Sequence, residues 1–415
     1  MYRAPRGTTD ILPEQQAYWR YVEQKAAEIC RLYGYERIDL PVFEDTALFS
    51  RSAGEYTDIV QKEMYTFADR SGNSLTLRPE GTPSVCRAYL EYGMHSRPQP
   101  VRLYYLSPIF RYGRPQAGRY RQHHQFGYEA IGDADPALDA EIIDMAWQFF
   151  ISLGLRHNLL HVNSIGCPRC RPQYLSALTE YYHPHFDRLC PDCRTRLKRN
   201  PLRLLDCKNE PCQPVANGAP RSSGYLCSEC QAHFEALHSH LQVLEVPFEV
   251  NHRLVRGLDY YTRTVFEVQP EEEGAQSTLG GGGRYDGLLE ELGGKPTPGV
   301  GFACGIERII LNLKKENVSV SPTPGPQLFV AHLGDEARDA AMKLVSTLRR
   351  NGTAVLAATG GRSLKAQLRQ ANNLGIPRVA IIGEDEVRTG TVMLRDMTTS
   401  RQESVPVEKL VELVV

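Results

Sequence analysis

Apolar positions recur at helical spacing over residues 13–34, where Tyr18, Val22, Ala26, Ile29 and Tyr33 share one face and Gly34 supplies a stop. The pattern then changes to alternation. Residues 35–43 predict a strand, and Pro41 within it argues for an edge or an interface, because proline cannot donate to a ladder. Residues 74–82 predict a second strand ending in a polar turn, followed by a helix over 83–92. Arg78, Glu80 and Thr82 alternate there, which turns Glu80 and Thr82 the same way at the strand's end. A capping threonine and a surface glutamate read equally well from that stretch. Residues 139–153 predict a helix on Ile142, Ile143, Ala146, Phe149 and Phe150. Residues 248–250 and 253–268 return to strand character, with a tight turn at Gly257. A glycine run at 280–283 leads into Arg284, Tyr285 and Asp286. Residues 299–313 read as a glycine-rich strand feeding a helix, with Arg308 in the helix's first turns, where an anion is favoured. The stretch 319–326, SVSPTPGP, is a linker. Beyond it, strands at 327–332, 354–358 and 379–382 alternate with helices at 335–351 and 364–374. That order predicts a small α/β domain with a mainly parallel sheet.

The stretch 101–132 carries the most chemistry. Residues 101–111, rich in Tyr, Leu, Ile and Phe, predict a strand ending at Arg111. A basic loop follows, with Arg114, Gln116, Arg119 and Arg121. The return strand places His123, Gln125, Gly127 and Glu129 on one face. Paired antiparallel, the two strands bring a cation, an amide and a carboxylate to one sheet face. Such groups are costly to bury without a partner, and a ligand with an anionic end and a hydrogen-bonding end is one. A surface hairpin with a solvated loop is the plainer reading.

At 415 residues the chain predicts two or three domains, and its 23% charged and 41% apolar residues are those of a globular protein. No apolar run is long enough to span a bilayer. The N-terminal stretch lacks the apolar core of a signal peptide, so a cytoplasmic location and no membrane partner are expected. A formal net charge of −1 gives no polyanion-binding signature, which leaves nucleic-acid contact to local basic patches.

Eleven cysteines change the picture. Cys30, Cys86 and Cys304 stand apart and suit a core. The other eight fall in CPRC, CPDC, CKNEPC and CSEC, a spacing that suits tetrahedral zinc. Two structural ions are expected, for instance one on Cys167, Cys170, Cys190 and Cys193 and one on Cys207, Cys212, Cys227 and Cys230. Reduced thiols left from an ancestral knuckle are the alternative, and all-thiolate sites argue against catalytic zinc. Arg194, Arg196, Lys198, Arg199 and Arg203 in the same module suit either a phosphate backbone or a solvated face.

Three separated blocks resemble the signature motifs of class II aminoacyl-tRNA synthetases. Residues 34–41 resemble the dimer-interface motif, Phe110-Arg111 with the hairpin after it the second, and residues 301–308 the third. LVRGLDYY at 254–261 and GGGRYDG at 281–287 resemble the two motifs peculiar to the histidyl-tRNA synthetase family. PRGTTDILP at 5–13 and GRSLKAQLRQANNLG at 361–375 also fit that family.

The resemblance implies an α+β fold: a class II antiparallel sheet flanked by helices, a Cys-rich insertion and a C-terminal α/β anticodon-binding-like domain. The expected division is a catalytic core at 1–166 and 242–321, the insertion at 167–241 and the tail domain at 322–415. It implies a ligase of protein biosynthesis that activates L-histidine with ATP and Mg2+ and charges the 3′ end of tRNA(His), working as a cytoplasmic homodimer. Arg111, Arg256 and Arg308 become its catalytic arginines. Glu80, Gly81, Thr82, Arg111, Gln125, Glu129, Arg256, Tyr260, Tyr261 and Tyr285 become the histidine pocket. Arg111, His123, Arg256 and Arg308 become the ATP site, and Arg114, Gln116 and Arg119 the contact with the acceptor end. Two positions depart from the family, which usually has Glu where Gly113 stands and Phe where His123 stands, both beside adenine. The competing readings are a catalytically silent regulatory or sensor relative, and a zinc-dependent nucleic-acid-binding protein.

Overall fold

In the computed structural model, residues 2–414 are described except 53–56, 58, 117, 272–277 and 323–324, and no side chain is described beyond 410. Part of the expected linker at 319–326 and one position of the 114–120 loop therefore lie outside the described residues. The chain divides into two compact units, 1–320 and 321–415.

An eight-stranded sheet organises the first unit. Its order among the described residues is Glu36–Arg37, Val101–Phe110, Gln122–Ile131, Gly299–Gly305, Gly280–Arg284, Thr262–Pro270, Asn158–Ser164 and Glu249–Val250. Only the two outermost pairings are parallel. The long hairpin pairs Val101 with Ile131 through Phe110 with Gln122, and Val101–Phe110 alternates strictly between buried and half-buried. Period-two burial of Val, Leu, Tyr and Ile on one face is what a one-sided strand requires. Helices Gln16–Leu32 and Pro136–Ser152 cover one sheet face with Trp19, Val22, Ala26, Ile142, Ile143, Phe149 and Phe150. Asp135 caps the second helix, its Oδ1 accepting from Ala137 N at 2.8 Å. No helix among the described residues is long and apolar enough to cross a membrane.

Several expectations need correction. The single strand at 35–43 is two short ones, Glu36–Arg37 in the large sheet and Phe43–Asp45 in a separate three-stranded sheet with Ser74–Leu77 and Tyr65–Ala68. Pro41 lies between them, where the chain changes sheets. The strand expected at 253–268 begins only at Thr262, because residues 251–261 fold as irregular turns. The strand at 74–82 stops at Leu77, and Arg78 turns inward to donate to the carbonyls of Leu40, Pro41 and Pro108.

The second unit carries a five-stranded sheet. Val355–Ala357, Leu328–His332 and Arg378–Ile382 are parallel, with helices Asp335–Arg350 and Leu364–Asn373 as crossovers. The expected β-α-β-α-β run is present, but Thr391–Asp396 and Gln402–Pro406 extend the sheet antiparallel. These two strands form a hairpin of mixed polar residues whose alternation is weak in sequence.

Candidate active site

The sheet face opposite the long helices opens into a cavity of about 660 Å3. Arg111, Arg256 and Arg308 all line it, although 145 and 52 residues of chain separate them in turn. Each is held by its own element. Arg111 follows the outgoing hairpin strand and donates from Nε to Pro79 O at 2.7 Å. Arg256 pairs with Glu267 of the neighbouring strand. Arg308, in the first turn of helix Ile306–Lys315, donates to Gly118 O at 2.9 Å and Thr278 O at 3.1 Å. Burial and the nearby charges of Arg111 and Arg119 push the Arg308 guanidinium below its ordinary value, the mark of a site short of negative charge.

The floor holds the carboxylates. Glu80 accepts from Tyr260 Oη at 2.7 Å. Burial pushes its carboxyl up to about 6 against the pull of Tyr260 and Arg111. Glu129 accepts from Thr82 Oγ1 at 2.6 Å and from Tyr285 Oη at 2.7 Å. Burial pushes it up to about 8 against those two bonds, and the Glu80 charge adds to the rise. Thr82 therefore spends its hydroxyl on the floor and caps nothing. Gly301 faces Glu129 across the ladder, and a Cβ there would stand 1.7 Å from Glu129 Oε2, so only glycine leaves room for the carboxylate. Gly81 lines the cavity and leaves the same kind of room for the Tyr105 ring, 2.2 Å from the Cβ it lacks. Gln125 accepts from Tyr105 Oη at 3.2 Å. Tyr261 lines the wall beside Tyr260. Glu80 Oε1 and Arg256 Nε are buried with no hydrogen-bond partner among the described residues. Such atoms call for a ligand with a donor beside the carboxylate and an acceptor beside the guanidinium.

His123 lines the cavity, and burial with the charges of Arg111 and Arg308 pushes its imidazole down to about 3, so the ring is neutral at pH 7. Arg119 lines it too and pairs with Glu63, whereas Arg114 and Gln116 are exposed and stand off the cavity. Tyr285 and Glu129 lie under the floor and do not line the cavity. Lining residues that escaped the sequence include Glu63, Tyr105, Glu307 and, from the cysteine module, Asp206 and Lys208. Tyr105 had a signal, since it faces Gly127 across the hairpin. Glu63 had none.

The cysteines form two groups of four, but not the expected ones. Cys167, Cys170, Cys227 and Cys230 are together, and Cys190, Cys193, Cys207 and Cys212 are together, with the sulfurs of each group within 4.8 Å of one another. The grouping is nested because the first and last pairs lie where the module leaves and rejoins the core, the last pair at the start of helix Ser228–Val243. Sulfur separations of 3.8–3.9 Å in the outer group and 3.9 Å for Cys190 and Cys207 fit a tetrahedron with bonds of about 2.3 Å, whose edges are about 3.8 Å. All eleven cysteines are free thiols. The donor sets therefore fit zinc.

The sequence profile described as histidyl-tRNA synthetase matches residues 7–169 and 207–309, and that of the anticodon binding domain matches 327–415. The chain is 61% identical over 411 residues to a histidine–tRNA ligase of Dehalococcoides mccartyi, covering 99% of this chain and 98% of the relative. It is 51% identical to that of Desulforamulus reducens, covering 98% and 97%. Among solved structures, apo histidyl-tRNA synthetase of S. aureus aligns with a TM-score of 0.83 at 40% identity, covering 100% of both chains. An ATP phosphoribosyltransferase regulatory subunit/histidyl-tRNA synthetase from Bacillus halodurans aligns at 0.65 and 23% identity, covering 92% and 98%, a likeness of fold. With two profiles in order along it and curated relatives matching end to end, the chain belongs to the histidyl-tRNA synthetase family.

Proposed function

We propose that the cavity activates L-histidine with ATP and passes the histidyl group to the 3′ end of tRNA(His), the reaction of a histidine–tRNA ligase. One observation carries this reading: Arg111, Arg256 and Arg308 meet in a single cavity above Glu80 and Glu129. A neutral imidazole has one N–H and one acceptor nitrogen, which a carboxylate and a tyrosine hydroxyl can read together. The unpartnered Glu80 Oε1 suits the substrate ammonium, and the unpartnered Arg256 Nε suits its carboxylate.

The histidine carboxylate attacks the α-phosphorus in line. A carboxyl–phosphate anhydride forms, and the bond from the α-phosphorus to pyrophosphate breaks. Arg111 and Arg308 neutralise charge growing on the phosphate oxygens, so alignment and fixed positive charge do the work. Mg2+ enters with the nucleotide and supplies further neutralisation of its phosphates. The terminal ribose hydroxyl of tRNA then attacks the acyl carbon and AMP leaves. Arg114, Gln116 and Arg119 on the hairpin loop are assigned to the acceptor end, and the second unit to the anticodon.

The same reading takes 167–241 as an insertion holding two structural zinc ions, one on each nested thiol group. The histidyl-tRNA synthetase profile leaves 170–206 unmatched, in keeping with an insertion there. It also takes the protein as a cytoplasmic homodimer, in keeping with Val42, Phe43 and Phe67 exposed on the small sheet. A silent regulatory relative would have no use for three converging guanidinium groups. The deciding experiment charges purified tRNA with each of several radiolabelled amino acids. Histidine alone should be incorporated, and Arg256→Ala should lower histidine-dependent ATP–pyrophosphate exchange by at least about 100-fold. Incorporation of another amino acid, or of none, overturns the reading.

A further inference from the structure

The inner thiol group is part of the cavity. Cys207 belongs to that group and also lines the active site, as do Lys208 and Asn209 after it. The loop 207–212 begins and ends on ligands of one group, and the side chains between, Lys208, Asn209, Glu210 and Pro211, are all exposed. The residues between are not buried, whereas Cys207 and Cys212 at the ends are buried and belong to one thiol group. None of the four outer cysteines lines the cavity, and that group reaches the cavity chain through Arg171, beside Cys170, which donates to Tyr261 O at 2.5 Å.

The same segment grips the chain that carries Arg256, Tyr260 and Tyr261. Asn200 Nδ2 donates to Asp259 Oδ1 at 2.8 Å. Arg203 lies against Gly257, its Nη1 2.9 Å from where a Cβ would stand. Arg253 donates to Leu205 O at 3.1 Å and Cys207 O at 3.4 Å. Its Nη1 also donates to Gln213 and Asn217, at 2.9 and 2.7 Å.

We propose that zinc on Cys190, Cys193, Cys207 and Cys212 is energetically coupled to substrate in the cavity, whereas zinc on the outer group closes the base of the module and is not. The inner ion fixes the 207–212 wall and, through Asn200, Arg203 and Arg253, the loop bearing the histidine-side residues. Coupling between two sites is reciprocal in affinity, so a ligand that needs this wall also tightens the hold on the ion, and slower release is its readout. The proposal rests on the zinc reading above, and the test separates the two.

Protein purified without chelator is mixed with excess 4-(2-pyridylazo)resorcinol, with and without a saturating non-hydrolysable histidyl-adenylate analogue. Two equivalents of zinc per chain are expected. One leaves at least about ten-fold more slowly with the analogue bound, and the other leaves at an unchanged rate. Zinc near zero overturns the metal reading itself. Two equivalents whose release the analogue leaves unchanged, or slows equally, keep the metal reading and overturn the coupling. Cys212→Ser should retain one equivalent, unprotected by the analogue; a protected one overturns the assignment to the inner group. Asn200→Ala with Arg253→Ala leaves every thiol in place, so it tests the coupling even where Cys212→Ser does not fold. That variant should keep both equivalents and lose most of the protection, and full protection overturns the proposal.

Discussion

Tyr260 donates its hydroxyl to Glu80 at 2.7 Å, joining two residues 180 positions apart on the cavity floor. The bond holds one carboxylate oxygen and leaves Oε1 for the substrate. Burial has already pushed the Glu80 carboxyl up to about 6, and Tyr260 is the leading influence opposing that rise. Tyr260→Phe removes a donor to a charged acceptor, an interaction of roughly 1.5–3 kcal/mol. The KM for histidine should rise about ten-fold or more in ATP–pyrophosphate exchange at pH 7.5, with the KM for ATP little changed. An unaltered histidine KM would contradict the role of this pair.

Glu129 gives a prediction that depends on pH. Its folded-state value of about 8 lies above the ordinary 4.5, so the substrate-free folded protein keeps a proton that the unfolded chain releases. The stability this contributes is complete below pH 4.5 and is lost as pH rises through 8. Glu129→Gln keeps the shape and removes the titration. Relative to the parent, its Tm should be higher by at least about 2 °C at pH 8.5 and nearly equal at pH 5. Histidine activation should fall by at least about 100-fold at pH 8.5, where the parent carboxyl is mostly ionised, and by less at pH 5, where it is already neutral. Equal Tm differences at the two pH values would refute the buried, proton-holding carboxyl.

The fold class was legible in the sequence, and how far single strands, strand ends and cysteine groups were legible differs by residue for physical reasons. His123, Gln125 and Glu129 could be placed on one face because strand alternation is rigid, and the hairpin register bears that out. Strand ends were harder. Leu77 ends its strand because Arg78 finds three carbonyls in the interior, a long-range gain invisible in SLTLRPEGT. The cysteine pairs were recognisable one by one, but their grouping depends on where the module leaves and rejoins the core, which spacing does not encode. Thr82 was ambiguous for a similar reason, since its partner Glu129 lies 47 residues away.

Arg284 and Asp139 make the third prediction. Both side chains are fully buried on the helix side of the sheet, paired with each other, and His233 adds a contact to Asp139 at 3.3 Å. Burial raises the Asp139 carboxyl, but Arg284 and His233 outweigh it and hold it down at about 2. The pair's stabilisation is therefore present above the ordinary 3.8 and is lost as pH falls towards 2. Asp139→Asn leaves the buried guanidinium with Asp286 at 3.1 Å as its one remaining carboxylate among the described residues, and should cost up to about 3–5 kcal/mol in urea unfolding at pH 7. The KM values for histidine and ATP should stay within about two-fold of the parent, because the pair faces away from the cavity. A large change in either KM would place Arg284 in the substrate site instead.

Gly113 and His123 are the two departures from the family's pattern, and of the two only His123 lines the cavity. At the position of Gly113 the family usually carries a glutamate, which would accept from the amino group of adenine, and glycine offers no side chain for this. The backbone there is well anchored: Gly113 N donates to Arg111 O at 2.7 Å, and its carbonyl accepts from Arg121 Nε at 3.4 Å. A Cβ at 113 would stand 2.9 Å from Arg119 Nε, so the flexible Arg119 side chain, which pairs with Glu63, must swing aside to admit it. The carboxylate introduced by Gly113→Glu could then form one charge-assisted bond to the adenine amino group, worth roughly 1.5–3 kcal/mol. The substitution should therefore lower the KM for ATP several-fold. It should also raise the preference for ATP over GTP by about ten-fold or more, since guanine presents a carbonyl where adenine presents the amino group. His123→Phe should change either quantity by less than about three-fold. The imidazole is already neutral at pH 7, burial and the charges of Arg111 and Arg308 having pushed it down to about 3, so an uncharged ring replaces an uncharged ring. Histidine-dependent pyrophosphate exchange with each nucleotide measures all four values, and unchanged ATP KM and selectivity in Gly113→Glu would show that adenine is read elsewhere.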